Sequence, residues 1–588
     1  MEKRVVLAVV LTIAVIYLTN VMFPPGPPPE LAEPGATPDS VAGEPTAGTD
    51  TAVGGLGAET GPGARQEEVA GEQAGLAAAP ALPEADTVVV RTDLYELRFS
   101  TVGASIVGAR LLDYESYGPD ANGDDRVRLV RPGDAVLGYR VAAAGDTADL
   151  AVRAFTASRP SLEVASGSAG DSLRFTYGFP GSAVRFVVTY GFQPGSYLVD
   201  VAGRLEGLGE RGWSVVTSLG SGLPTNEKNA GDDLRQLAFV TNGQASGIES
   251  VQFDKLRPGE ARTAEGGPFS WVAVKNKYFL IALVAPEAGP RFGGLIARAG
   301  AEAHVASLAA SMPVPAGSEG FAFRAYLGPQ KYERLEAVGQ NLEGVNPYGW
   351  RWLRPIIRPL VGIVMLVLDW MHETLNLAYG WVLILFGVLM RVVLFPLYQK
   401  SMRAQLAQMQ VQPLMKSIQE QHKDDPQRLQ QEMMKLYREH NINPLAGCLP
   451  MLLPMPILFT LFFVFQGTIE FRGVPFFWLP DLSLKDPIYI IPLLMGASMF
   501  LLSWIGQRGM EQVNPQMKMM TYVLPVVFTV MFANFPSGLN LYYTTSNIAS
   551  LPQQFYLAHE RKSALAQRPS APPQEKQDVR RGGSRKRD

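Results

Sequence analysis

Cysteine is almost missing from this chain. The single Cys448 excludes an intrachain disulfide, so any folded part outside a reducing compartment must rest on its own apolar core. Histidine is nearly as sparse. His304, His372, His422, His440 and His559 are scattered, and His372-Glu-Thr-Leu-Asn376 lacks the second histidine of a zinc-protease helix. No glycine-rich loop leads into a lysine in the phosphate-cradling pattern, which argues against nucleotide hydrolases. Charge is scarce as well: 18% of the 588 residues are charged and 47% are hydrophobic, too apolar for an ordinary soluble enzyme. Neither enzyme chemistry, nor a metal, nor a cofactor is expected.

The net charge of −3 conceals a segregation of sign: residues 24–86 hold eleven acids and one base, whereas Arg561 to Asp588 holds nine bases and three acids. The amino end, Met-Glu-Lys-Arg, is followed by an uncharged run from Val5 to Phe23 that ends in Val21-Met-Phe-Pro-Pro25 without a small-residue cleavage site. Residues 1–23 therefore read as an uncleaved membrane anchor with its basic end in the cytoplasm. Residues 24–86 are rich in Pro, Gly, Ala and Glu and poor in aromatics. Such a segment buries too little apolar area to fold and forms a linker with a reach of roughly 40–45 Å.

From 87 to 335 the pattern becomes short alternating segments between turn residues. Leu94-Tyr-Glu-Leu-Arg-Phe-Ser100, Ala183 to Tyr190 and Ser196 to Ala202 place apolar residues mostly at every second position. Trp271 to Val274 and Tyr278 to Val284 read as a more deeply buried pair. Many strands at this spacing predict a large all-β sandwich, placed outside the cytoplasm by its position between two membrane anchors. A linking helix over Gln330 to Val338 follows. Residues 348–375 then combine a ten-residue apolar run, Pro359 to Leu368, with flanking Arg351, Arg354, Arg358, Asp369, His372 and Glu373 and with Trp350, Trp352 and Trp370. Too short to cross and edged with charge, this segment reads as an interfacial amphipathic helix.

Five further spans are expected at 379–398, 444–466, 488–506, 518–535 and 538–557, a core over 379–557 that makes six with the anchor. The 399–443 loop carries seven Lys or Arg and the 467–487 loop two, so the basic loop and the tail at 558–588 are cytoplasmic and the β region is periplasmic. Inside the basic loop, Met402, Leu406, Met409 and Pro413, then Leu429, Met433, Leu436 and His440, recur at helical spacing, and Asp425-Pro426 is a capping acid before a first-turn proline. A cytoplasmic helical hairpin results. Its methionines suit an adaptable docking surface or, more often, a plain hairpin core.

Arg391 stands alone in the apolar stretch Trp381 to Phe395, where a cation costs ~2.5 kcal/mol or more unless water or a partner receives it. No span holds an Asp or Glu. The 444–466 span contains Pro444, Pro450, Pro454 and Pro456, which interrupt its backbone ladder. In the last span Asn540, Tyr543, Thr544 and Asn547 form a polar stripe, which by itself reads more simply as hydrogen-bonding glue between helices. Taken with Arg391, these features predict three walls of one hydrophilic groove that receives the polar parts of a passing polypeptide.

At these residues the sequence resembles the YidC-type membrane-protein insertases. The resemblance runs through Met390-Arg391, Pro396-Leu-Tyr398, Gln431-Glu-Met-Met434, Asn443-Pro-Leu-Ala-Gly-Cys-Leu-Pro450, Met455-Pro-Ile457, Pro492-Leu-Leu-Met-Gly496, Phe535-Pro-Ser-Gly538, Leu541-Tyr-Tyr543 and Ser546-Asn547. Trp271-Val-Ala and Tyr326-Leu-Gly-Pro329 are similar to the periplasmic domain of Gram-negative members, a weaker match. The resemblance implies insertion and folding of nascent membrane proteins, alone or beside the Sec translocon, without a chemical reaction or cofactor. It implies that Arg391 is the groove arginine and that Met455, Pro456, Tyr542 and Tyr543 contact substrate. It also implies that the 399–443 hairpin is needed for insertion. Gly387 and Asn534 depart from the pattern, a polar and an aromatic residue being usual there. The basic tail suits ribosomal RNA or anionic membrane lipids equally. A secondary transporter with an extracytoplasmic receptor domain is the alternative, but it calls for internal repeats and intramembrane acids, and the sequence shows neither. A third reading, a structural scaffold, predicts silent groove substitutions.

Overall fold

A computed structural model describes residues 85–566 except 120, 122–124, 144, 210, 347, 350–352, 397–398, 400–410, 424, 440–454 and 508–514. The anchor at 1–23, nearly all of the acidic linker, Trp350 and Trp352, residues 400–410 and 440–443 of the basic loop, Pro444, Pro450 and Pro454, and the tail beyond 566 lie outside the described residues.

The alternating segments pair as half-buried strands do. Arg185–Phe192 runs antiparallel between Asp171–Gly178 and Leu198–Glu206, and Leu198–Glu206 continues the sheet to Phe321–Pro329. Phe186, Val188, Tyr190 and Phe192 fall on one face by the strand period of two and are buried there. Among the described residues this sheet has nine strands, beside sheets of five and six. Ring contacts show which faces meet. Phe99 of the five-stranded sheet lies 5.8 Å from Phe175 and 4.8 Å from Tyr190, and Tyr139 of the six-stranded sheet lies 5.6 Å from Phe186 and 6.0 Å from Phe321. The long sheet is therefore one layer of a β sandwich and the two smaller sheets the other. The buried phenols satisfy each other: Tyr190 Oη donates to the Ala104 carbonyl at 2.7 Å, which leaves Tyr139 to donate to Tyr190 at 2.9 Å.

Phe269–Lys275 pairs with Phe279–Val284, and every residue of the second strand is buried. One face belongs to the sandwich core. The other is covered by helix α2 (Tyr332–Val338) and the turn Leu342–Val345, whose Leu335, Val338, Leu342 and Val345 join the same cluster. Trp271 Nε1 fixes that cover by donating to the Gln340 carbonyl at 3.0 Å. Earlier in the chain, α1 (Ala230–Arg235) is a short helix whose N-cap Asn229 accepts from the Asp232 amide.

Helix α3 (Arg354–Leu375) is longer than its ten-residue apolar run. Its 22 residues include Arg354, Arg358, Asp369, His372 and Glu373, and among the described residues it alone has the length and composition to cross a membrane. Ile357, Val361, Val364, Met365 and Leu368 form its buried stripe, while Ile363 and Leu366 lie opposite and exposed. The apolar helices α4 (Tyr379–Val393), α7 (Met455–Gly467), α8 (Ile490–Gln507) and α9 (Pro515–Phe532) and the long α10 (Ser537–Ala566) complete the helical region. The 15 residues of α4 rise only about 22 Å, less than a bilayer core of ~30 Å.

Between α4 and α7, α5 (Gln412–Gln421) and α6 (Pro426–Glu439) lie against each other, with Tyr437 Oη 3.6 Å from Met415 Sδ. Asp425 caps α6, its Oδ1 accepting from the Arg428 amide at 3.1 Å.

The segment after α7 joins the two regions residue by residue. Ile469 is buried in the sandwich cluster and Phe471 in the helical one, where its ring stacks on Phe465 at 4.8 Å. Arg472 then turns back into the sandwich. Its Nε donates to Glu227 Oε1 and its Nη2 to the Glu115 carbonyl, both at 2.8 Å, and its guanidinium lies 4.6 Å from the centre of the Tyr117 ring. Both side chains of the ion pair are buried, at 3% and 9% exposure. Burial pushes the Glu227 carboxyl up to about 7 against the opposing pull of Arg472.

Candidate functional site

The Phe535-Pro-Ser-Gly538 motif builds the corner from which α10 departs. Ser537 and Gly538 donate their amides to Leu484 and Leu482 at 2.7 and 2.9 Å, tying the start of α10 to the α7–α8 loop. Gly538 is required by approach: a Cβ there would lie 3.2 Å from Leu383 Cδ1, 3.2 Å from the Leu482 carbonyl oxygen and 3.4 Å from Phe465 Cε1. Gly538→Ala is expected to cost about 1–3 kcal/mol by overpacking. Thermal unfolding of the purified protein reads it, and an unchanged midpoint would show that Leu383 yields freely.

From that corner α10 presents the stripe. Asn540 is fully buried, and its Nδ2 donates at 2.9 Å to the Phe532 carbonyl at the end of α9. Thr544 Oγ1 donates to the Asn540 carbonyl within α10 at 2.8 Å. Asn547 Nδ2 reaches Ser498 Oγ of α8 at 3.1 Å, and Ser498 donates in turn to the Met495 carbonyl. In the described structure these polar groups hold α8, α9 and α10 together. The stripe was legible in the sequence, but its partner Ser498 was not singled out. A lone hydroxyl in the Pro492 to Leu502 stretch was the available signal.

The tyrosines face three helices. Tyr542 lies 5.8 Å from Phe386 of α4 and 6.5 Å from Phe465 of α7, and Tyr543 lies 5.5 Å from Phe532 of α9, with its hydroxyl 3.5 Å from the Leu458 carbonyl of α7. Pro456 lies in the first turn of α7, where Thr460 Oγ1 donates to its carbonyl at 2.7 Å, and the Met455 side chain is outside the described residues. Tyr542 and Tyr543 thus both meet α7, near its last and first turns respectively.

Arg391 is partly buried on the last turn of α4, among exposed Val388, Leu389, Val392 and Val393. Gly387, one turn or about 6 Å earlier, is pressed against α10: a Cβ there would sit 3.3 Å from Thr545 Cγ2 and 3.4 Å from the Tyr542 carbonyl oxygen. The departure at Gly387 therefore lets α4 and α10 approach each other, which carries Arg391 alongside α10. The departure at Asn534 falls in the exposed turn between α9 and α10, where a polar residue is at ease.

The comparisons with known proteins agree with this division. Residues 87–363 match the YidC periplasmic domain family, and residues 370–564 match the family described as 60Kd inner membrane protein. A membrane protein insertase YidC from Chlorobium limicola is 35% identical over 390 residues, covering 63% of this chain and 65% of that relative. One from Chlorobium phaeovibrioides is 34% identical over 425 residues, covering 67% and 71% of the two chains. One from Coxiella burnetii is 29% identical over 576 residues, 94% of this chain and 96% of the relative. With a β sandwich and a helical core matched in the same order, and with one relative aligned along nearly the whole length, the chain belongs to the YidC family of membrane protein insertases.

Proposed function

We propose that this chain inserts hydrophobic segments of nascent membrane proteins into a bacterial inner membrane and assists their folding, without a chemical reaction. In this reading the anchor, α4, α7, α8, α9 and α10 are the six spans, both termini and the 399–443 hairpin are cytoplasmic, and the sandwich is periplasmic. A client's apolar segment moves along the exposed aliphatic flank of α9, where Val523, Val526 and Val530 point outward, while its polar flank is received near Arg391. The single observation that supports this most is Arg391, a partly buried cation at the end of an apolar helix, flanked by exposed Val388, Leu389, Val392 and Val393. Met455, Pro456, Tyr542 and Tyr543 would meet the client. Asn540, Thr544 and Asn547 would set the spacing of the helices that form its walls. The Sec translocon and the ribosome are natural partners, the ribosome through the basic tail and loops.

Reconstitution tests the proposal. Purified protein in liposomes, present while a small two-span client is synthesised, is expected to protect the client's translocated loop from protease. Empty liposomes set the background. Protection no better than that background, with the protein intact and correctly oriented, would exclude autonomous insertion.

A further inference from the structure

Glu470 lies where the two cores meet. Its neighbours Ile469 and Phe471 are committed to the sandwich and to the helical cluster respectively, so its own side chain is left in the seam between them. Both its carboxyl oxygens are buried without a hydrogen-bond partner among the described residues. The same holds for Oδ2 of Asp369 on α3, whose Oδ1 accepts from Tyr379 Oη at 3.3 Å. Two acids with three buried oxygens unsatisfied are costly if both are charged, because nothing replaces the water they lose.

We propose that a proton on Glu470 keeps the joint between the β sandwich and the helical core closed, and that its release loosens the joint. The surroundings favour the protonated form. Burial is the largest cause and pushes the Glu470 carboxyl up to about 7; its own backbone amide opposes this, Asp369 and Glu333 add repulsion, and Lys331 pulls the other way. Tyr114, Tyr348 and, at the start of α4, Tyr379 also face it, and the Glu470 charge helps push the Tyr114 and Tyr348 phenols up. Arg472, two residues on, is turned away to Glu227.

The sign follows by linkage. In the open joint Glu470 regains water and returns toward its ordinary 4.5, so the closed joint binds the proton more tightly. Closure is therefore favoured on the acid side, and the advantage is lost as pH rises through about 7. The closing constant is expected to fall roughly tenfold to a hundredfold between about pH 5.5 and about pH 8. Glu227, also raised, contributes a slope of its own.

Hydrogen exchange on the full-length protein in nanodiscs, corrected for intrinsic rates, reads this directly at the amides of residues 468–472. Protection in the wild type should fall over that pH range. In Glu470→Gln, which mimics the protonated form, at least half of that dependence should disappear. An unchanged dependence in Glu470→Gln overturns the proposal. If that variant does not fold, infrared titration of the wild type and Asp369→Asn decides. A protonated carboxyl titrating near neutrality should move to lower pH when the neighbouring acid is removed, and a midpoint that stays in place overturns the proposal as well.

Discussion

Arg391→Ala is expected to cut insertion of a client with an acidic flank by roughly thirtyfold in the liposome assay, while Arg391→Lys keeps most of it. At an effective dielectric near 20, a carboxylate held about 8 Å from the guanidinium gains about 2 kcal/mol, which is about thirtyfold in occupancy. Either cation supplies that field, so the charge matters more than the planar fork of the arginine. A neutral-flanked client should feel the substitution less, because its flank has no charge to be held. Protease protection with matched protein levels is the measurement. If Arg391→Ala inserts acidic-flanked clients at near-normal rates, Arg391 is not the receiving group and the groove must work by hydration alone.

Removing Arg472 should have the largest effect on stability. Arg472→Ala deletes the ion pair to Glu227, the bond to the Glu115 carbonyl and the contact with Tyr117. It leaves Glu227 buried with its strongest partner gone, a change that typically costs 3–5 kcal/mol, or about that range here. Protonation of Glu227 limits the loss, since its carboxyl already stands at about 7 and loses the main pull holding it down. Arg472→Lys should recover only part, because one ammonium cannot reach Glu227 and the carbonyl in the same geometry. The pair Arg472→Met with Glu227→Leu should recover more than either single change, because it removes both buried charges. Thermal unfolding in detergent or nanodiscs distinguishes these cases. A loss below about 1 kcal/mol in Arg472→Ala would mean that water fills the site and the pin is dispensable.

The division between local and tertiary information is visible in particular residues. The alternation in Ala183 to Tyr190 identified a strand with its buried face, and Asp425-Pro426 identified a helix start, because both patterns follow from the period and capping chemistry of a short stretch. The motifs from Met390-Arg391 to Ser546-Asn547 pointed to the family for the same reason: they are residue strings read in order. Partners were not legible in this way. That Leu198–Glu206 lies beside Phe321–Pro329, that Asn540 spends its amide on Phe532 and Asn547 on Ser498, and that Gly387 is empty so that α10 can approach are decided by which surfaces meet. A polar stripe on one helix carries no mark of whether water or another helix satisfies it. The joint at Ile469 to Arg472 is the clearest case. Four consecutive residues of a loop look unremarkable in one dimension, yet they enter two cores and place one acid between them. The sequence by itself carried the strand alternation, the capped helix start at Asp425-Pro426 and the family. Only the tertiary structure decided which polar groups are satisfied, because a hydrogen bond or a buried charge depends on neighbours that the chain brings together from far apart.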